Sequence, residues 1–201
     1  MRPWSVLGAV VASVALSCGG STSEGAITRL GEPVSLFEKP WLWKDERGDV
    51  VAFSKWRGTP EIVAMFYASC TFRCPLTLAK LRRVEAAFSR RAVPVHFLLV
   101  TLDPRADTPD RLRDFKRSQQ LAEATWDLLA GGDVETRELS RLLGVRPSHG
   151  DSHIDHDVKV AIVDARGILL ETLDGWHFDE DGIVTVTAEA PRDRDPSPLW
   201  H

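Results

Sequence analysis

Cys70 and Cys74 lie four residues apart in the stretch Tyr67-Ala68-Ser69-Cys70-Thr71-Phe72-Arg73-Cys74-Pro75. At that separation two sulfurs can close a disulfide or grip one ion, provided the segment makes a turn. An inert core pair fits poorly with Ser69, Thr71 and Arg73 as neighbours. Dithiol redox motifs commonly place two residues between their cysteines. Here there are three, and the wider bite favours a soft metal ion over pure thiol chemistry.

Histidines sharpen the choice. The polar run 146–157 holds His149, His153 and His156, three of the chain's six. Any one of them can be an ordinary solvated loop residue. His156, just before a strand, is the one expected to act. Two thiolates and one imidazole suit Cu(I), and a mixed sulfur–nitrogen set also accepts Cu(II). If His153 joined, two sulfurs and two nitrogens in a tetrahedron would suit zinc.

The cysteine count supports working chemistry. Of three cysteines, Cys18 belongs to the N-terminal segment, which leaves one close pair and no disulfide framework. Closing so short a loop stabilises little. Arg2 followed by an apolar run from Val6 to Leu16, too short to span a bilayer, reads as a secretory signal over residues 1–17. Ala15-Leu16-Ser17-Cys18 resembles the lipobox of bacterial lipoproteins, which implies cleavage before Cys18 and a lipid on its sulfur. The alternative is a plain signal cut nearby. Residues 18–30 then form a lipidated flexible tether, Gly/Ser/Thr-rich from Gly19 to Glu24. The expected location is the cell envelope, on the periplasmic face of the cytoplasmic membrane. With 201 residues the chain has room for one sizeable domain, expected over residues 31–190, with a disordered tail at 191–201. A net charge of −4 points to neither nucleic acid nor an anionic membrane as the main partner.

The elements that must position the cysteines follow from periodicity. Glu61 to Tyr67 is a short apolar run and reads as a buried strand. A helix should leave it, with Pro75 at its first position and Leu76, Leu78, Leu81, Val84 and Phe88 on its core face. The cysteines then sit where a helix N-terminus lowers thiol pKa. Before this strand, Leu42 to Phe53 reads as a hairpin about Asp45-Glu46-Arg47-Gly48. After the helix come a strand over 93–102, a helix capped by Thr108 with Pro109 first, a short strand over 125–129 and a helix over 134–143. Two further strands follow, over 158–163 and 168–173. The segment 179–190 reads equally as a capped helix or a strand. Strands alternating with helices predict an α/β fold around a central sheet. Trp41, Trp43 and Trp56 are core residues or a docking surface. Asp103, in an Asp-Pro at a strand end, is a turn device or a carboxylate that tunes the thiols.

The chain resembles the Sco/SenC proteins, membrane-anchored copper chaperones of thioredoxin fold that serve cytochrome c oxidase. The resemblance rests on Cys70-Thr71-Phe72-Arg73-Cys74-Pro75, on Asp103-Pro104 with Asp107-Thr108-Pro109, and on Ile154-Asp155-His156 followed by 160–167. It implies a thioredoxin-like fold, a central mixed sheet flanked by helices with an N-terminal β-hairpin. It further implies copper, Cu(I) or Cu(II), held by Cys70, Cys74 and His156. The implied partner is a copper-accepting subunit of a respiratory oxidase or a periplasmic copper carrier. Cys70 with Cys74 would also be a redox pair, able to reduce the cysteines of such a subunit. Asp155 and Asp157 would orient His156 and offset the Arg73 cation. The alternative function is a membrane-tethered thiol-disulfide oxidoreductase without metal.

Overall fold

The computed structural model describes residues 35–71, 73–149 and 154–191. The expected signal and tether, Cys18, His153 and nearly all of the expected tail lie outside the described residues.

In chain order the elements begin with β1 (Trp43–Asp45), β2 (Val50–Val51), β3 (Glu61–Phe66) and α1 (Arg73–Arg90). Next are β4 (His96–Thr101), α2 (Pro109–Ser118), β5 (Trp126–Ala130) and α3 (Asp133–Leu142). The chain continues with β6 (Ser148–His149), β7 (Ile154–Asp155), β8 (Lys159–Val163), β9 (Leu169–Asp174) and α4 (Glu180–Glu189). Seven strands form one mixed sheet in the order β2-β1-β5-β4-β3-β8-β9. β3, β4 and β5 run parallel, and β8 returns antiparallel to β3. This is the α/β arrangement expected, including the N-terminal hairpin of β1 and β2.

β3 is buried on both faces because helices or loops cover both. Its period-two alternation divides the core. Ile62, Ala64 and Phe66 pack with Leu78, Leu81, Val84 and Phe88 of α1 and with Ile183 and Val184 of α4. Val63 and Met65 pack on the other side with Leu139 of α3 and an aromatic group. In that group Trp41, Trp43, Phe53 and Trp56 meet edge-on. The tryptophans are core residues, not a docking surface.

Three readings change. α1 begins at Arg73, so Pro75 is its third residue, not its first. Proline is tolerated there because first-turn N–H groups have no intrahelical partner. Leu76 is exposed, its side chain turned off the stripe that Leu78 and Leu81 bury. The run 146–157 is not simply a polar loop: β6 and β7 pair antiparallel within it, Ser148 opposite Asp155. The ambiguous C-terminal segment is helical. Asp179 caps α4 by accepting from the N–H groups of Asp181 and Gly182, which outweighs the local β propensity of Val and Thr.

Candidate metal centre

The cysteines lie where β3 ends and α1 begins. Cys70 N–H bonds back to the Tyr67 carbonyl at 3.1 Å, which turns the chain. Cys74 is in the first turn of α1, and its N–H donates to Cys70 Sγ at 3.3 Å. A backbone donor at a helix start favours the thiolate of its acceptor. The Cys74 thiol, in turn, hydrogen-bonds with the Cys70 side chain and the Tyr67 backbone, so the two sulfurs are neighbours. They stand as two thiols, not as a disulfide. The pair is unequal: Cys70 is half-buried, Cys74 buried. Burial, then the neighbouring Cys70, pushes the Cys74 thiol up. The expectation that the helix end lowers both thiols therefore fails for Cys74, where desolvation is the larger effect.

Tyr67 joins the cysteine loop to the histidine segment. Its hydroxyl hydrogen-bonds with the Cys70 side chain and with the backbone of Ile154 in β7. Burial first, and then the bond to Cys70, push the phenol up to about 12, so it keeps its proton at neutral pH. The ring of Tyr67 meets that of His156 edge-on at 6.1 Å between centroids. Topology brings this about: Ala64 pairs with Val160, and the same antiparallel register carried onward sets residues 67 and 68 beside 157 and 156.

His156 is buried. Its Nδ1 lies 2.9 Å from the Asp157 carbonyl oxygen. That oxygen can only accept, so Nδ1 carries the proton and the lone pair is on Nε2, the form that binds a metal. Asp157 therefore orients His156 through its main chain. Its carboxylate accepts from Arg146 Nε at 2.9 Å. That bond, with Arg73 contributing charge, holds Asp157 below the usual carboxylate range. The cation beside the cysteines thus faces an anion on the histidine side. Asp155 stands in β7 opposite Ser148. Among the described residues, no group of three or more His, Cys, Asp or Glu side chains is gathered closely enough to hold a metal ion. The fold assembles the sulfur pair and lays the imidazole on the tyrosine that touches it.

Asp103 is a turn device: its carbonyl accepts from the N–H of Asp107 at 2.8 Å and its carboxylate from that of Ala106. The carboxylate that reaches the cysteine loop is Asp107. Its Oδ2 accepts from Ala68 N–H at 2.9 Å and from Thr101 Oγ1 at 2.5 Å. Asp107 is buried, and burial pushes its carboxyl up. Its charge opposes ionisation of Cys74. In the sequence Asp107 reads only as the residue before a Thr-Pro helix start. The one local hint is a second acid four residues after Asp103.

A family model described as SCO1/SenC matches residues 31–190. The chain is 22% identical to the SCO2-like protein of Rickettsia conorii over 134 residues, 63% of this chain and 64% of that protein. It spans less than two thirds of the length of the curated relatives it matches. The fold is shared with Arabidopsis thaliana ScoI, solved with copper bound: TM-score 0.64, 18% identity, covering 74% of this chain and 94% of that one. It is shared too with BsSco, described as carrying a disulfide switch and as a member of the Sco family of cytochrome c oxidase assembly proteins. There the TM-score is 0.66 with 20% identity, over 78% of this chain and 94% of that one.

Proposed function

The chain belongs to the SCO1/SenC family, and from that premise we propose that it carries copper as cargo between Cys70, Cys74 and His156 and a copper-accepting partner. The partner is a subunit of cytochrome c oxidase or a copper carrier outside the cytoplasm. A lipid on Cys18 holds the domain at the outer face of the cytoplasmic membrane.

One observation carries the ligand set. Tyr67 hydrogen-bonds with Cys70 and with the β7 backbone while packing on His156. That contact links the segment bearing a late histidine to the loop bearing two early sulfurs, and so supports His156 as the third ligand. Loading requires both thiols to release their protons to solvent and the neutral imidazole to present Nε2. Two thiolates and one imidazole form a three-coordinate set suited to copper. Transfer proceeds by ligand exchange, one partner thiolate replacing one of these ligands at a time. Exchange with a partner disulfide, which takes up the two electrons and leaves as two thiols, would join Cys70 and Cys74 as a disulfide, remove two of three ligands and release the ion.

Titration of the reduced chain with Cu(I) tests this. We expect one ion per chain in the wild type. His156→Ala should cost more than the roughly 10–100-fold that outer partners of a ligand are worth. Unchanged stoichiometry and affinity in the variant would remove His156 from the set.

A second reading draws on the inequality of the cysteines. A half-buried Cys70 with a backbone donor on its sulfur is built to attack, and a buried Cys74 to resolve. In that reading Cys70 thiolate attacks a partner disulfide, forms a mixed disulfide and expels one partner thiolate. Cys74, once deprotonated, attacks Cys70 Sγ and expels the second, so two electrons pass to the partner. This chemistry needs both cysteines but not His156.

A further inference from the structure

A long groove beside the candidate centre has no place in copper coordination. Two depressions of about 620 and 630 Å³ share Arg137, Ser140 and Pro147, and so run together along α3. The first opens at Leu102 and Asp103, at the end of β4, where Leu102 N–H bonds to the Phe66 carbonyl of β3. The second ends at Arg146, whose guanidinium holds Asp157 next to His156. The groove thus skirts the sheet edge that carries the cysteine loop.

Its rim is basic in a chain whose net charge is −4. Arg105, Arg137, Arg141, Arg146 and Lys159 line it. Asp103 and Asp133 also line it, and three of the cations are paired: Arg105 with Asp133, Arg146 with Asp157 and Lys159 with Asp174. Arg137 and Arg141 form no ion pair among the described residues, and both are exposed. They are one helical turn apart on α3, Arg137 at its middle and Arg141 in its last turn, where the helix dipole would also place an arginine. That explanation does not cover Arg146 and Lys159, which reach the same depression from outside the helix.

The floor adds a second, independent sign. Thr136 lines the first depression at 7% exposure, and its Oγ1 has no hydrogen-bond partner among the described residues. A buried hydroxyl left unsatisfied is costly to the fold, and it can both donate to and accept from a peptide backbone.

We propose that this groove docks an extended acidic segment of the protein that exchanges copper with this chain. The proposal rests on the copper-carrier reading. The rim attracts carboxylates and sets the approach, and the Thr136 hydroxyl bonds the segment's main chain. A membrane surface fits less well. Anionic headgroups meet flat or protruding basic faces, and this one is concave with its polar atom on the floor.

The test uses the full reduced chain and a labelled ten-residue glutamate peptide, followed by fluorescence anisotropy at low and high salt. The wild type should bind the peptide, and added salt should weaken binding, because exposed charges are screened. Arg137→Glu with Arg141→Glu should lose about tenfold or more in affinity, the effect of reversing two contacts worth roughly 1.4 kcal/mol in all. Thr136→Val should weaken binding without changing the salt dependence. In each variant the Cu(I) titration should match the wild type. Peptide affinity unmoved by the double charge reversal overturns the proposal. So does binding of phosphatidylglycerol vesicles, with no binding of the peptide. A wild type that takes up no copper would sink the carrier reading by itself, and the peptide arm would still decide the groove.

Discussion

Glu61 is an acid the fold buries and leaves unpaired. Neither carboxylate oxygen has a hydrogen-bond partner among the described residues. Burial, with the charge of Asp164, pushes its pKa well above the ordinary glutamate range. The folded chain therefore holds this proton more tightly than the unfolded chain. Such a group contributes stability that is complete below the unfolded value and is lost as pH rises through the folded one. Glu61→Gln keeps the shape and removes that loss. At pH 8 its unfolding free energy from urea titration should exceed the wild type's by about 1 kcal/mol or more, since one pKa unit is about 1.4 kcal/mol. Near pH 4 the two should converge. Parallel curves from pH 4 to 8 would show that Glu61 is charged in the fold. The sequence shows why single residues differ in legibility. Cys70, Cys74 and His156 stand out by type and order. Glu61 looks like the polar end of an apolar strand, because only the flanking β4 and β8 make that position interior. Asp107 looks like a helix-start residue because its partner, Ala68 N–H, is 39 positions away.

Between elements, the decisive contact is the one Tyr67 makes. Long periodic segments such as α1 and β4 were legible because their patterns span several turns or residues on one face. The β6–β7 pair was not. Each strand is two residues long, below any period, and Ile154 is the one apolar residue among the four. What ties this hairpin to the cysteine loop is a tyrosine that local sequence shows only as the end of a strand. Tyr67→Phe removes the hydroxyl and keeps the ring on His156. The global cost should be small, about 1 kcal/mol, the usual worth of one hydrogen bond. The local effect should be larger: amide exchange at Ile154 should quicken severalfold while that of β3 hardly changes. The Cu(I) affinity of the variant should fall with it. If the Ile154 amide exchanges at the wild-type rate, the hydroxyl is not what couples loop and hairpin.

Across the molecule, the two edges of the sheet have separate tasks. The cysteine loop, Asp103, Asp107 and the groove lie at the ends of β3 and β4, where the parallel strands stop. The opposite edge, where those strands begin, is a clamp of buried charge. Asp127 accepts from Arg47 at 2.8 Å and from Trp56 Nε1 at 3.0 Å, and its Oδ2 lies 2.7 Å from His96 Nε2. Beside it Lys116, wholly buried, pairs with Glu46 at 2.6 Å. Burial acts to raise the Asp127 pKa, but the bond to His96 and the charges of His96, Lys55 and Arg47 outweigh it and hold the carboxyl well below the usual range. A depressed carboxylate contributes stability that is present above its unfolded value and lost as pH falls toward the folded one. Breaking a buried pair from one side leaves the other charges uncompensated, so Asp127→Asn should cost about 3 kcal/mol at pH 7. The penalty should shrink below about pH 4, where the wild type's own carboxylate begins to lose its charge in the unfolded chain. Because the clamp is a strand's length from the sulfurs, the variant, measured well below its melting temperature, should bind Cu(I) as the wild type does. Lost stability with unchanged copper affinity would confirm that the edges act independently; a matching loss of affinity would mean that the clamp also sets the geometry of the cysteine loop.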